Sequence, residues 1–213
     1  MRLLLACTVL LLIAACESRE APMSQLPWQL DARQVALEEL PAPSQLGEFE
    51  LQGQMENPDA KIRVLRYVHG DSELRMDISL YPMPPGWDGM DPERTIAGHY
   101  PQVQESVTRR ALRQGASEVA LVDSEMYTPE GAPYPILSSR LEQVFPSRDD
   151  RVALVELTGR MPILMYAVMI LPEERLEQMP EAVHGALLAY LAAMEDAERE
   201  AGVDPDEMHQ TGT

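Results

Sequence analysis

The sequence has only two cysteines in 213 residues, Cys7 and Cys16, and both fall within the first sixteen positions. Everything after Cys16 therefore lacks the thiol pair of a disulfide and the thiolates of a cysteine zinc site. Lysine is nearly absent as well. Lys61 is the single lysine, and 17 Lys+Arg face 35 Asp+Glu, a formal net charge of −18. Such a polyanion argues against nucleic-acid binding, which is driven by neutralising phosphates, and against hugging anionic lipid headgroups by charge. The preference for arginine over lysine reads as genomic base composition. No apolar run reaches the about 20 residues that span a bilayer. The linear signatures of common chemistries are missing too. There is no pair of histidines four apart as in zinc proteases, no glycine-flanked nucleophilic serine, no Gly-rich loop followed by lysine and no Gly-x-Gly-x-x-Gly run. The histidines, His69, His99, His184 and His209, have no helical metal-ligand spacing, and no metal, cofactor or catalytic residue is expected.

What is present begins at the N-terminus. Met1-Arg2 is a minimal positive region, and residues 3–15 are almost unbrokenly apolar before ending in Ala14-Ala15. This run is short for a bilayer span and right for a secretory signal. Ile13-Ala14-Ala15-Cys16 resembles the lipobox of bacterial lipoproteins: an aliphatic residue, two small ones, then Cys. The resemblance implies cleavage between Ala15 and Cys16, diacylglyceryl transfer to the Cys16 thiol and acylation of the new amine. Two or more buried acyl chains hold a protein stably on a membrane. With Arg2 removed, 16 basic residues remain against 35 acidic ones. Glu17 matches the Asp that retains enterobacterial lipoproteins in the inner membrane only in charge, so a periplasm-facing outer-membrane position is expected.

Residues 16–47 read as the lipidated cysteine and a tether, with Pro22, Pro27, Pro41 and Pro43 set among polar residues and a short helix over 31–40 capped by Asp31. A single domain is expected over 48–202, followed by a disordered acidic tail over 203–213. Phe49 and Leu51 alternate with polar neighbours. Leu74, Met76, Ile78 and Leu80 do the same after the turn at Gly70-Asp71, which predicts a hairpin. Asp91-Pro92-Glu93 opens a helix whose apolar face is Ile96, Tyr100, Val103, Val107 and Ala111; Pro101 should kink or restart it, and Gly115 should close it. Strands follow over 119–127, 136–145, 152–157 and 163–171. The last has almost no polar residue and should be central, covered on both faces. Pro172 and Pro180 introduce a second helix striped by Val183, Leu187, Leu191 and Met194. Strands joined by short turns pair antiparallel. The expected fold is therefore α+β: an antiparallel sheet of about six or seven strands with two main helices packed on it. In element order over roughly 48–200 the chain resembles the PsbP-like architecture, which implies a non-enzymatic binding or assembly factor.

Three local features offer chemistry, and each has a plainer explanation. Gly70-Asp71-Ser72 and Asp206-x-x-His209 resemble the opening and closing blocks of GDS-type esterases. Here, however, the serine falls in a hairpin turn, and Asn57 is the only asparagine, so the family's intermediate block is missing. Met76, Met83, Met90, Met161, Met165 and Met169 suit core filling better than a thioether copper site. The loop over 81–90, with Pro84, Pro85 and Trp87, is the candidate contact loop, because an aromatic on a long loop is costly to leave in water unless packed or bound. The expected function is a membrane-anchored envelope lipoprotein with a non-catalytic domain that binds a protein partner or assists an assembly. The alternative is a small-ligand carrier or hydrolase with a site that leaves no linear motif. A filled interior with an exposed apolar surface favours the first, and a deep polar pocket the second.

Overall fold

Alternation of apolar and polar residues produces eight strands in one antiparallel sheet, between two helices that lie on opposite faces. The computed structural model describes residues 36–200 apart from 71, 73, 88, 131, 133 and 178. In chain order the elements are a 3₁₀ turn at Leu37–Glu39, β1 (Gln45–Leu46), β2 (Phe49–Asn57), β3 (Ile62–His69), β4 (Arg75–Pro82), α1 (Pro92–Arg113), β5 (Glu118–Tyr127), β6 (Ile136–Val144), β7 (Arg151–Arg160), β8 (Ile163–Pro172), a 3₁₀ turn at Glu173–Arg175 and α2 (Met179–Glu200). The strand order is β1-β2-β3-β4-β8-β7-β6-β5. Two meanders are thus joined where β4 meets β8, with Ile78 opposite Ala167.

The α+β class is as expected, with eight strands rather than six or seven. β8 sits at the junction, covered on both sides. Met165, Ala167 and Met169 join the core under α2, with Ile78, Leu80, Leu187 and Tyr190. Leu164 and Val168 join the core under α1, with Ile96, Val103, Val107 and Val155. At the start of α1 the Asp91 carboxylate accepts from the Arg94 amide at 3.0 Å, and Gly115 follows the helix with φ +95°, a conformation that costs glycine little. Pro101 does not break α1. Pro101 and Ala97, whose carbonyl it leaves without a donor, are both exposed. Water can serve that carbonyl, while buried Tyr100 and Val103 hold both halves to the sheet.

The additional strand and the largest departure lie in the supposed tether. The packed domain reaches back past residue 48 to Leu37, and Leu37 and Leu46 are buried. Over 36–40, the described part of the expected 31–40 helix, there is a 3₁₀ turn at 37–39; Asp31 lies outside the described residues. The Arg63 guanidinium, almost wholly buried, donates to the carbonyls of Leu37 at 2.7 Å and Leu40 at 2.6 Å and to Gln54 Oε1 at 2.6 Å. The Tyr190 hydroxyl donates to the Pro41 carbonyl and the Tyr67 hydroxyl to the Pro43 carbonyl, each at 3.0 Å. Proline lacks an N–H but keeps a carbonyl, and those carbonyls are the points of attachment.

Candidate functional site

The sheet has two edges. β1 at one end is only two residues long and pairs with Phe49 and Glu50 of β2. β5 at the other end is ten residues long and exposed at nearly every position. It pairs with β6 on one side, from Glu118 opposite Val144 to Tyr127 opposite Ile136, with a bulge between Leu121 and Asp123. Among the described residues nothing pairs with its other side, which leaves a row of backbone donors and acceptors unpaired. Leu121 and Val122 are each 42% exposed and Met126 39%. β5 carries neither lysine nor proline, the residues that usually blunt an edge. It does carry the acids Glu118, Asp123 and Glu125.

A titratable cluster sits at the far end of this strand. The Tyr127 hydroxyl lies 2.6 Å from Nδ1 and 2.8 Å from Nε2 of His184 on α2. Nδ1 of His184 is 3.2 Å from the Glu156 carboxylate on β7. Burial pushes the Glu156 carboxyl from 4.5 up to about 7, with a hydrogen bond from Ser138 acting the other way; burial also lowers the His184 imidazole. The Glu156 carboxyl therefore changes protonation near neutrality, in contact with the His184 imidazole. Two hollows, one at the β6–β7 end and one beside α1, are lined by other residues.

The proline-rich loop is drawn onto its own domain. Pro84 is buried, Pro85 exposed and Trp87 half-buried. The Trp87 ring stands edge-on to His99, 6.1 Å between centroids, and a Cβ on Gly98 would come within 3.7 Å of it. His99 Nε2 lies 2.7 Å from the Tyr81 hydroxyl, and burial holds the imidazole down at about 4. It is therefore neutral at pH 7 and shares a hydrogen bond with the Tyr81 hydroxyl. Ser72, the serine of the esterase-like opening, donates to the His69 carbonyl at 2.7 Å and closes a turn; Asp71, Asp206 and His209 lie outside the described residues. Met76, Met83, Met165 and Met169 are buried in the core. Ala15 and Cys16 lie outside the described residues, as does the tail over 203–213. Among the described residues no group of three or more His, Cys, Asp or Glu is arranged to hold a metal ion, and no helix is long and apolar enough to cross a membrane.

Sequence reasoning placed a strand at 119–127 but did not mark it as an edge. Strand order is set by the β4–β8 junction, far away in the chain. The available signal was local: Asp123, Ser124 and Glu125 in a row, which leave no buried face in the second half of the strand.

No protein-family model matches the sequence, and no curated protein sequence matches it. Among solved structures the chain is similar to cyanobacterial PsbP (CyanoP) from Synechocystis sp. PCC 6803, with 10% identity and a TM-score of 0.44 over 64% of this chain and 89% of that one. It is also similar to the Saccharomyces cerevisiae Ran-binding protein Mog1p, with 10% identity and a TM-score of 0.33 over 70% of this chain and 90% of that one. Both likenesses concern the fold alone.

Proposed function

We propose that the chain is a lipid-anchored envelope protein whose domain is a non-catalytic binding module, and that edge strand β5 is where a partner's extended segment adds to the sheet. The observation that carries this reading is the ten-residue unpaired edge with Leu121, Val122 and Met126 exposed along it. Strand addition draws affinity from backbone hydrogen bonds and specificity from alternate side chains. Glu118, Asp123 and Glu125 set the chemistry of the occupant: an extended segment in which basic residues alternate with apolar ones. Pairing β5 with a second copy of itself would gather three carboxylates from each chain at one seam, which opposes it. The filled cores on both faces of the sheet support a binding module over a carrier, whose ligand would need an enclosed space.

The probe is a peptide of about ten residues alternating lysine with valine, matched to an edge strand of this length. Titrated into the full chain in neutral detergent, it should shift the backbone amide resonances of residues 118–127. The double variant Asp123→Lys/Glu125→Lys should abolish the shifts, and a glutamate–valine peptide should produce none. Equal binding of both peptides, or shifts confined to other strands, would exclude β5 as the docking edge.

The anchor is tested separately. Cys16→Ser removes the thiol that the diacylglyceryl group would occupy. In a bacterial host it should move the protein from the membrane to the soluble fraction and end incorporation of radiolabelled palmitate. Persistence in the membrane fraction would exclude lipidation at this residue.

A further inference from the structure

Helix α1 covers only part of its face of the sheet. Beside its C-terminal half, an open groove of about 460 Å³ runs over β3, β4 and β8. Its lining includes Arg66, Arg75, Arg110, Arg148 and Arg151, with Asp77 as its one carboxylate. Five of the chain's sixteen arginines thus meet in one place, giving a formal charge of +4 on a molecule of −18. Even spreading of the positive charges over an acidic surface does not produce this, and like charges cost free energy to gather.

The groove is also ordered. Asp77 is nearly buried, and both its oxygens are taken. Arg66 donates to Oδ1 at 2.8 Å and to Oδ2 at 3.1 Å, and Arg110 donates to Oδ2 at 3.2 Å. Asp77 therefore aims two guanidinium groups, which take three of the roughly four acceptor positions of its carboxylate. The Arg148 guanidinium lies 3.7 Å over the Phe145 ring. Asp150, in the same turn, spends Oδ1 on the Phe145 amide at 2.9 Å. Among the described residues no carboxylate pairs with the side chains of Arg75, Arg148 or Arg151. Arg151 also borders a smaller hollow with Glu142, Asp150 and Glu173, so the basic groove ends there.

We infer that this groove is a binding site for a phosphate-bearing ligand. A carboxylate presents two oxygens in one plane and is satisfied by one or two guanidinium forks. A tetrahedral phosphate presents oxygens in several directions and can accept from several forks at once, which is the recognition arginine serves better than lysine. Val168 and Ile170 give the groove an apolar floor, which suits a phosphate ester with an organic part over the bare ion. The ester can come from a soluble metabolite or from a lipid headgroup, and both present the same group to the arginines. The inference is independent of the edge-strand reading, since no residue of β5 lines the groove.

The test uses the full chain in neutral detergent and the double variant Arg75→Gln/Arg151→Gln. Among the described residues neither side chain has a carboxylate partner to lose, so the variant should melt at the parent temperature. Pyrophosphate binding, followed by calorimetry, should weaken about tenfold or more in the variant and should weaken with added salt in the parent. In a second arm, vesicles of neutral phosphatidylcholine are compared with vesicles containing phosphatidylglycerol. Arginine-dependent binding of pyrophosphate alone identifies a soluble ester as the ligand class, and arginine-dependent binding to the anionic vesicles identifies a headgroup. If neither probe binds, or if binding is the same in parent and variant, the groove is a solvated face and the inference is wrong. Should the double variant melt lower, the single variant Arg75→Gln is read by the same criteria, with an expected loss of about threefold.

Discussion

Replacing Arg63 with alanine should lower the stability of the domain by about 3 kcal/mol and release the segment over 37–46 from the sheet. The guanidinium is 3% exposed and is the shared donor for the carbonyls of Leu37 and Leu40 and for the Gln54 side chain. Glu56 adds a carboxylate at 3.4 Å. Alanine leaves these acceptors in place without donors, and each unsatisfied buried group costs about 1–3 kcal/mol. The lower part of that range applies, because a loosened segment lets water reach the carbonyls. For a domain of this size 1 kcal/mol moves the melting temperature by about 2–4 °C, so a fall of roughly 6–12 °C is expected in a thermal melt. Hydrogen exchange gives the more specific readout: amides over 37–46 should exchange much faster, while those of β7 and β8 change only by the global loss. Arg63→Lys should recover little, since one ammonium does not reproduce the fork that spans these acceptors. A variant as stable as the parent, with residues 37–46 still protected, would show that the segment is held by Leu37 and Leu46 alone.

Glu156→Gln should stabilise the protein at pH 8 and leave it almost unchanged at pH 5. The carboxyl is raised by burial from 4.5 to about 7. A group with a raised folded value contributes its stability below its ordinary value and loses it as pH rises through the folded one. Stability attributable to Glu156 therefore falls between about pH 4.5 and pH 7. At pH 8 the native state holds a buried, desolvated carboxylate, and at about 1.4 kcal/mol per pKa unit that costs roughly 3 kcal/mol. Glutamine removes the charge and keeps the size. It can still donate or accept toward His184, so most of the gain should survive. His184 acts with the opposite sign: burial lowers it, so its contribution is present above the ordinary histidine value and is lost as pH falls. At pH 8 that imidazole is neutral in parent and variant alike, so the comparison there reads the Glu156 charge. Chemical denaturation at the two pH values measures the difference, and a variant that is less stable at pH 8 would overturn the assignment of a buried charge cost.

The parts of this fold that were legible in the sequence are those written in local pattern. Ile163 to Leu171 declares a doubly covered strand because no position in it can face water comfortably. Asp91-Pro92 declares a helix start because cap and first turn lie within a few residues. The parts that were not legible depend on distant partners. Pro41 and Pro43 look like a spacer until Tyr190 and Tyr67 supply hydroxyls to their carbonyls, from 149 and 24 residues away. Pro101 looks like a break until the packing of Tyr100 and Val103 outweighs one missing hydrogen bond. The candidate site divides in the same way. Trp87 was visible as an aromatic on a loop, while its seat against His99 was not. Glu156 did leave a trace, as the single charge in the apolar run from Val152 to Leu157, but its meeting with His184 and Tyr127 joins three separate elements. The arginines of the groove come from β3, β4, α1, the turn after β6 and β7, and no linear motif could carry that arrangement.

The junction between β4 and β8 has a kinetic side. Every other strand pair in the sheet joins neighbours in sequence, so each meander can zip from its own turns. The pairing of Met76 with Met169 instead closes about 90 residues of chain, at an entropic cost of about 4 kcal/mol plus a constant. That search needs β8 in place, so the meander of β1 to β4 keeps one side of β4 unpaired until the second meander docks against it.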